Sequence, residues 1–145
     1  MKKIFDLHRC LLAGIIVSLS AACYEEENWL EDNITPTGEY YPTIYMNALE
    51  DEYKVGDPVS VVLEFASQGT LEEIVLYQKL GDADEEELSR SPYQPAFSEA
   101  KAQDTLALVY TVPTVTDTLE IALRAEAINS NGLTKSSSET FEAIP

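Results

Sequence analysis

Leu119-Glu120-Ile121-Ala122-Leu123-Arg124-Ala125-Glu126-Ala127-Ile128, followed by Asn129-Ser130-Asn131-Gly132, is the stretch that decides the fold. At a period of two, Leu119, Ile121, Leu123, Ala125 and Ala127 share one face, while Glu120, Arg124 and Glu126 share the other. That is the signature of a β-strand with one buried side. A strand from Thr118 to Ile128 then meets a tight turn, because Asn-Gly suits the positive φ of short hairpins. The Thr/Ser-rich segment Leu133 to Ile144 completes a C-terminal hairpin.

The same alternation recurs upstream. Pro42-Thr43-Ile44-Tyr45-Met46 reads as a first edge strand, with the proline tolerable at its start. After an acidic turn (Glu50, Asp51, Glu52), the run Val59 to Phe65 places Val59, Val61, Leu63 and Phe65 on one face. Glu73 to Leu80 alternates less cleanly, with Ile74 and Leu76 as the inward pair and Tyr77 opposite. Thr105 to Val112 lines up Leu106, Leu108, Tyr110 and Val112 before Pro113 closes it. With no helical period and no repeat of about 20–50 residues, these segments predict an all-β fold. It is a single antiparallel β-sandwich of about seven strands over residues 41–145.

The openings and closings of these runs carry a resemblance. Tyr53-Lys54-Val55-Gly56-Asp57-Pro58-Val59, then Glu73-Ile74-Val75-Leu76-Tyr77, then Ile121 to Ala127 ahead of Asn-Gly, resemble bacterial immunoglobulin-like modules of the fibronectin-III or PKD type. The resemblance covers most of Tyr41 to Ile144 and implies an immunoglobulin-like sandwich. The Cys-Trp-Cys core of antibody domains is missing.

Residues 1–22 carry Lys2, Lys3 and Arg9 ahead of the apolar run Cys10 to Leu19 and the small residues Ser20-Ala21-Ala22. This is a secretory signal, its apolar run too short for the roughly 20 residues that cross a bilayer. Cys23 follows directly, and the segment resembles a bacterial lipoprotein signal of the looser Bacteroidetes form, with Ser20 where Leu is usual. The resemblance implies cleavage before Cys23, acylation of its thiol (palmitate among the chains) and a membrane anchor through that lipid. The alternative is an ordinary secretory signal that leaves Cys23 as a free thiol. Residues 23–40 are polar and acidic, broken by Pro36 and Gly38, and read as a tether with Trp29-Leu30 as its one apolar pair. Its Tyr24-Glu25-Glu26-Glu27-Asn28 resembles the export signal that takes Bacteroidetes lipoproteins to the outer face of the outer membrane. A solvated acidic tether is the plain alternative.

The chain carries a formal charge of −17, from 9 Lys+Arg against 26 Asp+Glu. Loss of residues 1–22 removes Lys2, Lys3, Arg9 and Asp6 and makes it −19. A chain so acidic, with no clustered Lys or Arg, repels phosphate backbones and excludes nucleic acid as a partner. The carboxylates gather in 25–32, 50–57 and 82–87.

His8 is the only histidine and Cys10 and Cys23 the only cysteines, so the sandwich has neither imidazole nor thiol. Ser-His-Asp, Cys-His and His/Cys zinc chemistry are thereby excluded, as are the glycine-rich phosphate loops, and an enzyme is not expected. No cofactor is implied. Asp82, Asp84 and Glu86 alternate as hard-cation ligands do at the start of a calcium loop. Glu87 stands where such a loop needs Gly and Tyr93 where it needs Glu, so a looser calcium site or a solvated acidic loop are the two readings.

The connection from Gly81 to Gln103 exceeds the roughly 12–15 residues beyond which loops are usually functional or disordered. It holds Tyr93 and Phe97, which either stack on a sugar or fill a partner's pocket, or fold back over the sandwich edge. The expectation for the whole is a lipid-anchored cell-surface binding protein, with an accessory role in glycan capture implied by the surface-lipoprotein resemblance. The alternative is a structural or protein-interaction module of an envelope or adhesion complex.

Overall fold

A computed structural model describes residues 32–145; the signal segment, Cys23, the acidic run 25–27 and Trp29-Leu30 lie outside the described residues. Nine strands form two facing sheets: β1 (Thr43–Met46), β2 (Glu52–Lys54), β3 (Pro58–Ala66), β4 (Leu71–Leu80), β5 (Glu86–Pro92), β6 (Phe97–Ser98), β7 (Gln103–Thr111), β8 (Leu119–Asn129) and β9 (Thr134–Ile144). One sheet runs β1-β3-β7-β6 and the other β2-β9-β8-β4-β5. This is the immunoglobulin-like arrangement, with the first strand divided so that β1 joins one sheet and β2 the other.

The core forms because the inward faces of both sheets are aliphatic. Val59, Val61 and Leu63 of β3 and Ile121, Leu123, Ala125 and Ala127 of β8 are fully buried, as the alternation requires. Met46, Tyr110, Phe141 and Ala143 complete the cluster, and every core residue lies between Met46 and Ala143. Among the described residues this is one continuous cluster, and no disulfide supports it.

β4 alternates poorly for two reasons. Gln78 faces inward and stays buried because the Tyr110 hydroxyl donates to its Oε1 at 2.8 Å, while its own amide donates to Glu86. Val75, on the opposite face, is fully buried between its register partners Arg90 and Glu126. Burial pushes the Tyr110 phenol up to about 12.

Three expectations are corrected. The Gly81–Gln103 connection contains two strands: β5 pairs antiparallel with β4, and β6 with β7. Glu86-Glu87-Leu88-Ser89-Arg90-Ser91-Pro92 hides its strand because it carries one large apolar residue and ends on proline. Leu88 is the extra residue of a bulge opposite Leu76 and Tyr77, a device that twists an edge strand away from chance pairing. The sheets are also not purely antiparallel, since Glu52–Lys54 pairs parallel with Glu142–Ile144. Finally, the C-terminal part of the expected tether is folded. Ile34 bridges to Tyr40, Tyr41 N donates to Asn33 O, and Gly38, at positive φ, closes a turn on Thr35 O.

The β8–β9 hairpin is the expected tight turn, with one refinement. Gly132 N donates to Asn129 O and Asn129 N to Leu133 O, so the loop has three residues, and Gly132 alone takes positive φ. This is the type I turn plus bulge that ranks next after two-residue hairpins.

Candidate functional site

The strand directions sort the loops onto two ends of the sandwich. At one end lie the turns of 50–57, 81–85 and 112–118, and with them two of the three acidic clusters. The other end gathers the folded segment 32–41, the β3–β4 loop, the 93–96 connection and the β6–β7 turn. This second end contains Tyr93 and Phe97 and three clefts.

Tyr93 is held in place from two sides. Its ring meets Phe65 edge-on, with centroids 6.3 Å apart, and its hydroxyl donates to Asp104 Oδ2 at 2.6 Å. Asp104 Oδ1 accepts from Ala96 N at 3.1 Å, so one carboxylate clamps both ends of the short connection. The hydrogen bond to Asp104, with burial second, raises the Tyr93 phenol and keeps it protonated. Tyr93 thus folds back on the core, as the covering alternative has it. Phe97 does not: it stands 66% exposed on the two-residue strand β6.

One cleft, about 400 Å³, opens between the sheets where short β6 leaves the flank of β7 uncovered; Phe65, Ile74 and Leu106 line it with Ser91 and Gln94. A second, of about 260 Å³, lies on the other side of Tyr93 beneath Phe97, with Thr70, Leu71 and Asp104. The third, about 150 Å³, is lined by Asn33, Tyr40, Tyr41, Ser67 and Gln68. Only the first reaches the roughly 300–1,000 Å³ of small-ligand sites.

The charged side chains at these clefts are already engaged. Arg90 is paired with Glu73 and, at 2.7 Å, with Glu87, and Arg90 holds the Glu87 carboxyl below its usual range. On the face beside the second cleft, Lys101 lies 2.7 Å from Glu64 and, with Gln103, lowers that carboxyl too. Ala102, at φ 56°, ends the β6–β7 turn in the left-handed region, and its N–H donates to Ser98 O at 2.8 Å.

Asp82, Asp84 and Glu86 sit at the opposite end and do not converge. Glu86 enters β5 and its carboxylate turns to Gln78, while Glu85 is held by Arg124 through two bonds, at 2.9 and 2.7 Å. Among the described residues no group of three or more His, Cys, Asp or Glu is placed to hold a metal ion. Of the three, Glu86 alone lies in a strand, where its carboxylate is turned away from Asp82 and Asp84 toward Gln78.

Sequence reasoning missed Asn129. It read as a turn residue, yet it is 1% exposed. Its Oδ1 accepts from Ser67 Oγ at 2.8 Å and its Nδ2 donates to Tyr40 O at 3.2 Å. It ties the hairpin, the β3–β4 loop and the segment 32–41 into one surface. The signal was present in a longer-than-usual alternation, Ile121 to Ala127, which continues one step further to position 129.

The class these features define is an immunoglobulin-like β-sandwich with a cleft-bearing end. No protein-family model matches the chain, and no curated protein matches it. Among solved structures it is similar to the sporulation control protein Spo0M of Bacillus subtilis, at 14% identity and a TM-score of 0.45 over 72% of this chain and 49% of that one. It is also similar to a Niemann-Pick type C2 protein from the Japanese carpenter ant, at 10% identity and a TM-score of 0.42 over 76% and 96%. The chain thus spans about half the length of Spo0M. The class rests on the strand order itself.

Proposed function

We propose that this chain is a lipid-anchored, cell-surface binding protein of the Bacteroidetes type, and that its sandwich takes a carbohydrate at the cleft-bearing end. The observation that carries the reading is Phe97, a large aromatic 66% exposed beside a cleft walled by Tyr93. An exposed ring next to a polar-rimmed hollow is suited to stacking on a sugar face, and no free charge stands there to demand an ionic ligand. The anchor is the lipid on Cys23, followed by the acidic export run.

A glycan array with residues 32–145 tests the sugar reading. Binding to a carbohydrate class that Phe97→Ala abolishes is the expected result; an array on which nothing binds overturns it. Labelled palmitate is expected on the wild type and not on Cys23→Ala, and label retained in the variant refutes the anchor. Protease shaving of intact cells removes a surface protein; survival until the outer membrane is broken refutes display.

A second reading, a protein-interaction module, is favoured by one surface. The outer face of β1, β3 and β7 exposes Val109 (74%) and Tyr45 (55%), and its only charged residue, Glu64, is already paired with Lys101. Capture of an envelope partner from cross-linked cells, lost on Val109→Lys, would favour this reading.

A further inference from the structure

The three clefts adjoin one another. The first and second share Phe65 and Tyr93, and the second and third share Ala66 and Ser67. They form a row across the end of the sandwich, from Gln94 at the β5 side, past Phe97 at the middle, to Tyr40 at the β1 side. We propose that this row is one continuous groove for a linear, uncharged, polyhydroxylated chain, so that the ligand is an oligosaccharide bound along its length. The inference rests on the carbohydrate reading above and adds its shape, its extent and two new contact regions.

Three observations carry it. The first is the shape, since a row of linked hollows matches a chain of repeating units and not one compact molecule. The second is the placement of aromatic surface along it: Phe97 is 66% and Tyr40 41% exposed, one at the middle and one toward the end of the row. The third is the polar lining. The side chains of Gln68, Thr70, Ser91 and Gln94 make no hydrogen bond to any described group of the protein, which leaves neutral donors and acceptors free along the groove. The two charged side chains that touch it, Arg90 and Asp104, are satisfied, Arg90 by Glu73 and Glu87 and Asp104 by the Tyr93 hydroxyl and Ala96 N. Anionic chains gain no free cation there and meet the charge of the whole molecule. A cation finds no free carboxylate in the groove. What remains is a neutral chain with many hydroxyls.

Folding of residues 32–41 is integral to this assignment, because Asn33, Tyr40 and Tyr41 build the third cleft, and Asn129 holds Tyr40 against the hairpin. Residues expected to be tether are thereby part of the groove wall.

The test is calorimetric titration of residues 32–145 with gluco-, xylo- and manno-oligosaccharides of increasing length, from disaccharide to hexasaccharide. In the series that binds, affinity is expected to rise by about tenfold or more between the shortest and longest members. Tyr40→Ala and Gln94→Ala, both at exposed residues, are expected to remove much of that rise, whereas Phe97→Ala weakens every member. Affinity independent of length, or length dependence untouched by both terminal variants, overturns the groove and leaves the carbohydrate reading standing. Absence of binding across all series and on the array removes both. Binding of unstructured peptides with no oligosaccharide binding also overturns it, in favour of a protein partner.

Discussion

Asn129→Ala tests whether residues 32–41 belong to the domain. The asparagine is 1% exposed and makes two side-chain hydrogen bonds, to Ser67 Oγ and Tyr40 O. Each such bond contributes about 0.5–1.5 kcal/mol net, and a buried partner left unsatisfied costs about 1–3 kcal/mol. Ser67 Oγ keeps an accepted bond from Gly69 N at 3.0 Å, and the Tyr40 carbonyl belongs to a part-exposed residue that water reaches, so both penalties fall at the low end. The sum is about 2–3 kcal/mol. With a urea m-value of about 1.5 kcal/mol/M for a domain of this size, the unfolding midpoint drops by roughly 1.3–2 M. The local effect is more specific. Loss of the Tyr40 bond releases the turn, so the amides of Gly38 and Tyr41, which donate to Thr35 O and Asn33 O, exchange faster than those of the β3–β7 ladder. Native-state hydrogen exchange reads this directly. A midpoint within about 0.3 M of wild type, with unchanged protection at 38 and 41, would refute the reasoning.

Gly81 sits at φ +54°, and a Cβ there lies 2.8 Å from Leu119 Cδ1. Because that methyl can move, the backbone dominates, and Gly81→Ala is expected to cost about 1–2 kcal/mol by thermal melting; no loss would contradict the left-handed turn. Glu142 faces Glu52 on one side and Glu120 on the other across the register, and like charges opposite each other destabilise by about 0.2–1 kcal/mol. Glu142→Lys therefore raises the melting temperature, more so at low salt, and a lowered one refutes the pairing. Glu64, Glu85 and Glu87 have carboxyls lowered from 4.5 by Lys101, Arg124 and Arg90 respectively. A lowered folded pKa gives stability that is present above 4.5 and lost as pH falls through the folded values. Acid unfolding should thus set in below about 4.5 and move to higher pH in Lys101→Met, whereas an unchanged acid limb counts against that pair. Tyr110, raised to about 12, gives the opposite sign: its contribution is complete below 10 and lost as pH rises toward 12. In an ultraviolet titration it ionises last, and a full complement of ordinary tyrosines would contradict its burial.

How much of this was legible depended on whether a segment's period reflected its burial. β3, β7 and β8 bury one face against the opposite sheet, so Val59 to Phe65, Leu106 to Val112 and Leu119 to Ala127 spell their own orientation. β5 and β6 are edge strands at the open side of the sandwich. They bury little, their side chains need not alternate, and a reading based on hydrophobic pattern passes over them. Acidic composition misled in the same region, since Glu85, Glu86 and Glu87 look like a solvated run until Arg124, Gln78 and Arg90 are brought to them from elsewhere in the sheet and loop. Partners separated by 39 residues along the chain, as Glu85 and Arg124 are, leave no local trace. The same holds for Asn33 to Tyr41, whose turn is stabilised by Asn129 and, through Asp32 O, by the Lys135 ammonium at 2.7 Å.

The two ends of the sandwich divide the chemistry of the chain. One end concentrates unpaired acidity: Glu52, Glu120 and Glu142 lie side by side with Asp51 near them, a costly arrangement that stability alone does not require. The other carries three clefts, the exposed rings of Phe97 and Tyr40 and neutral hydrogen-bonding groups, and the charged side chains that line those clefts, Arg90 and Asp104, are paired. The acidic end has a cleft walled by its own carboxylates. A fold that gathers unpaired carboxylates at one end leaves the cleft lining of the other without a free charge, which suits a neutral ligand whose binding depends on stacking and hydroxyl contacts. It also predicts a diagnostic for where binding occurs. If the ligand sits in the groove, its affinity is nearly independent of salt, because no free charge faces it. Were the ligand instead a cation held at the acidic end, affinity would fall as salt screened those carboxylates. Titration at low and physiological ionic strength separates the two, and a steep salt dependence would place the site at the wrong end of the molecule for the groove.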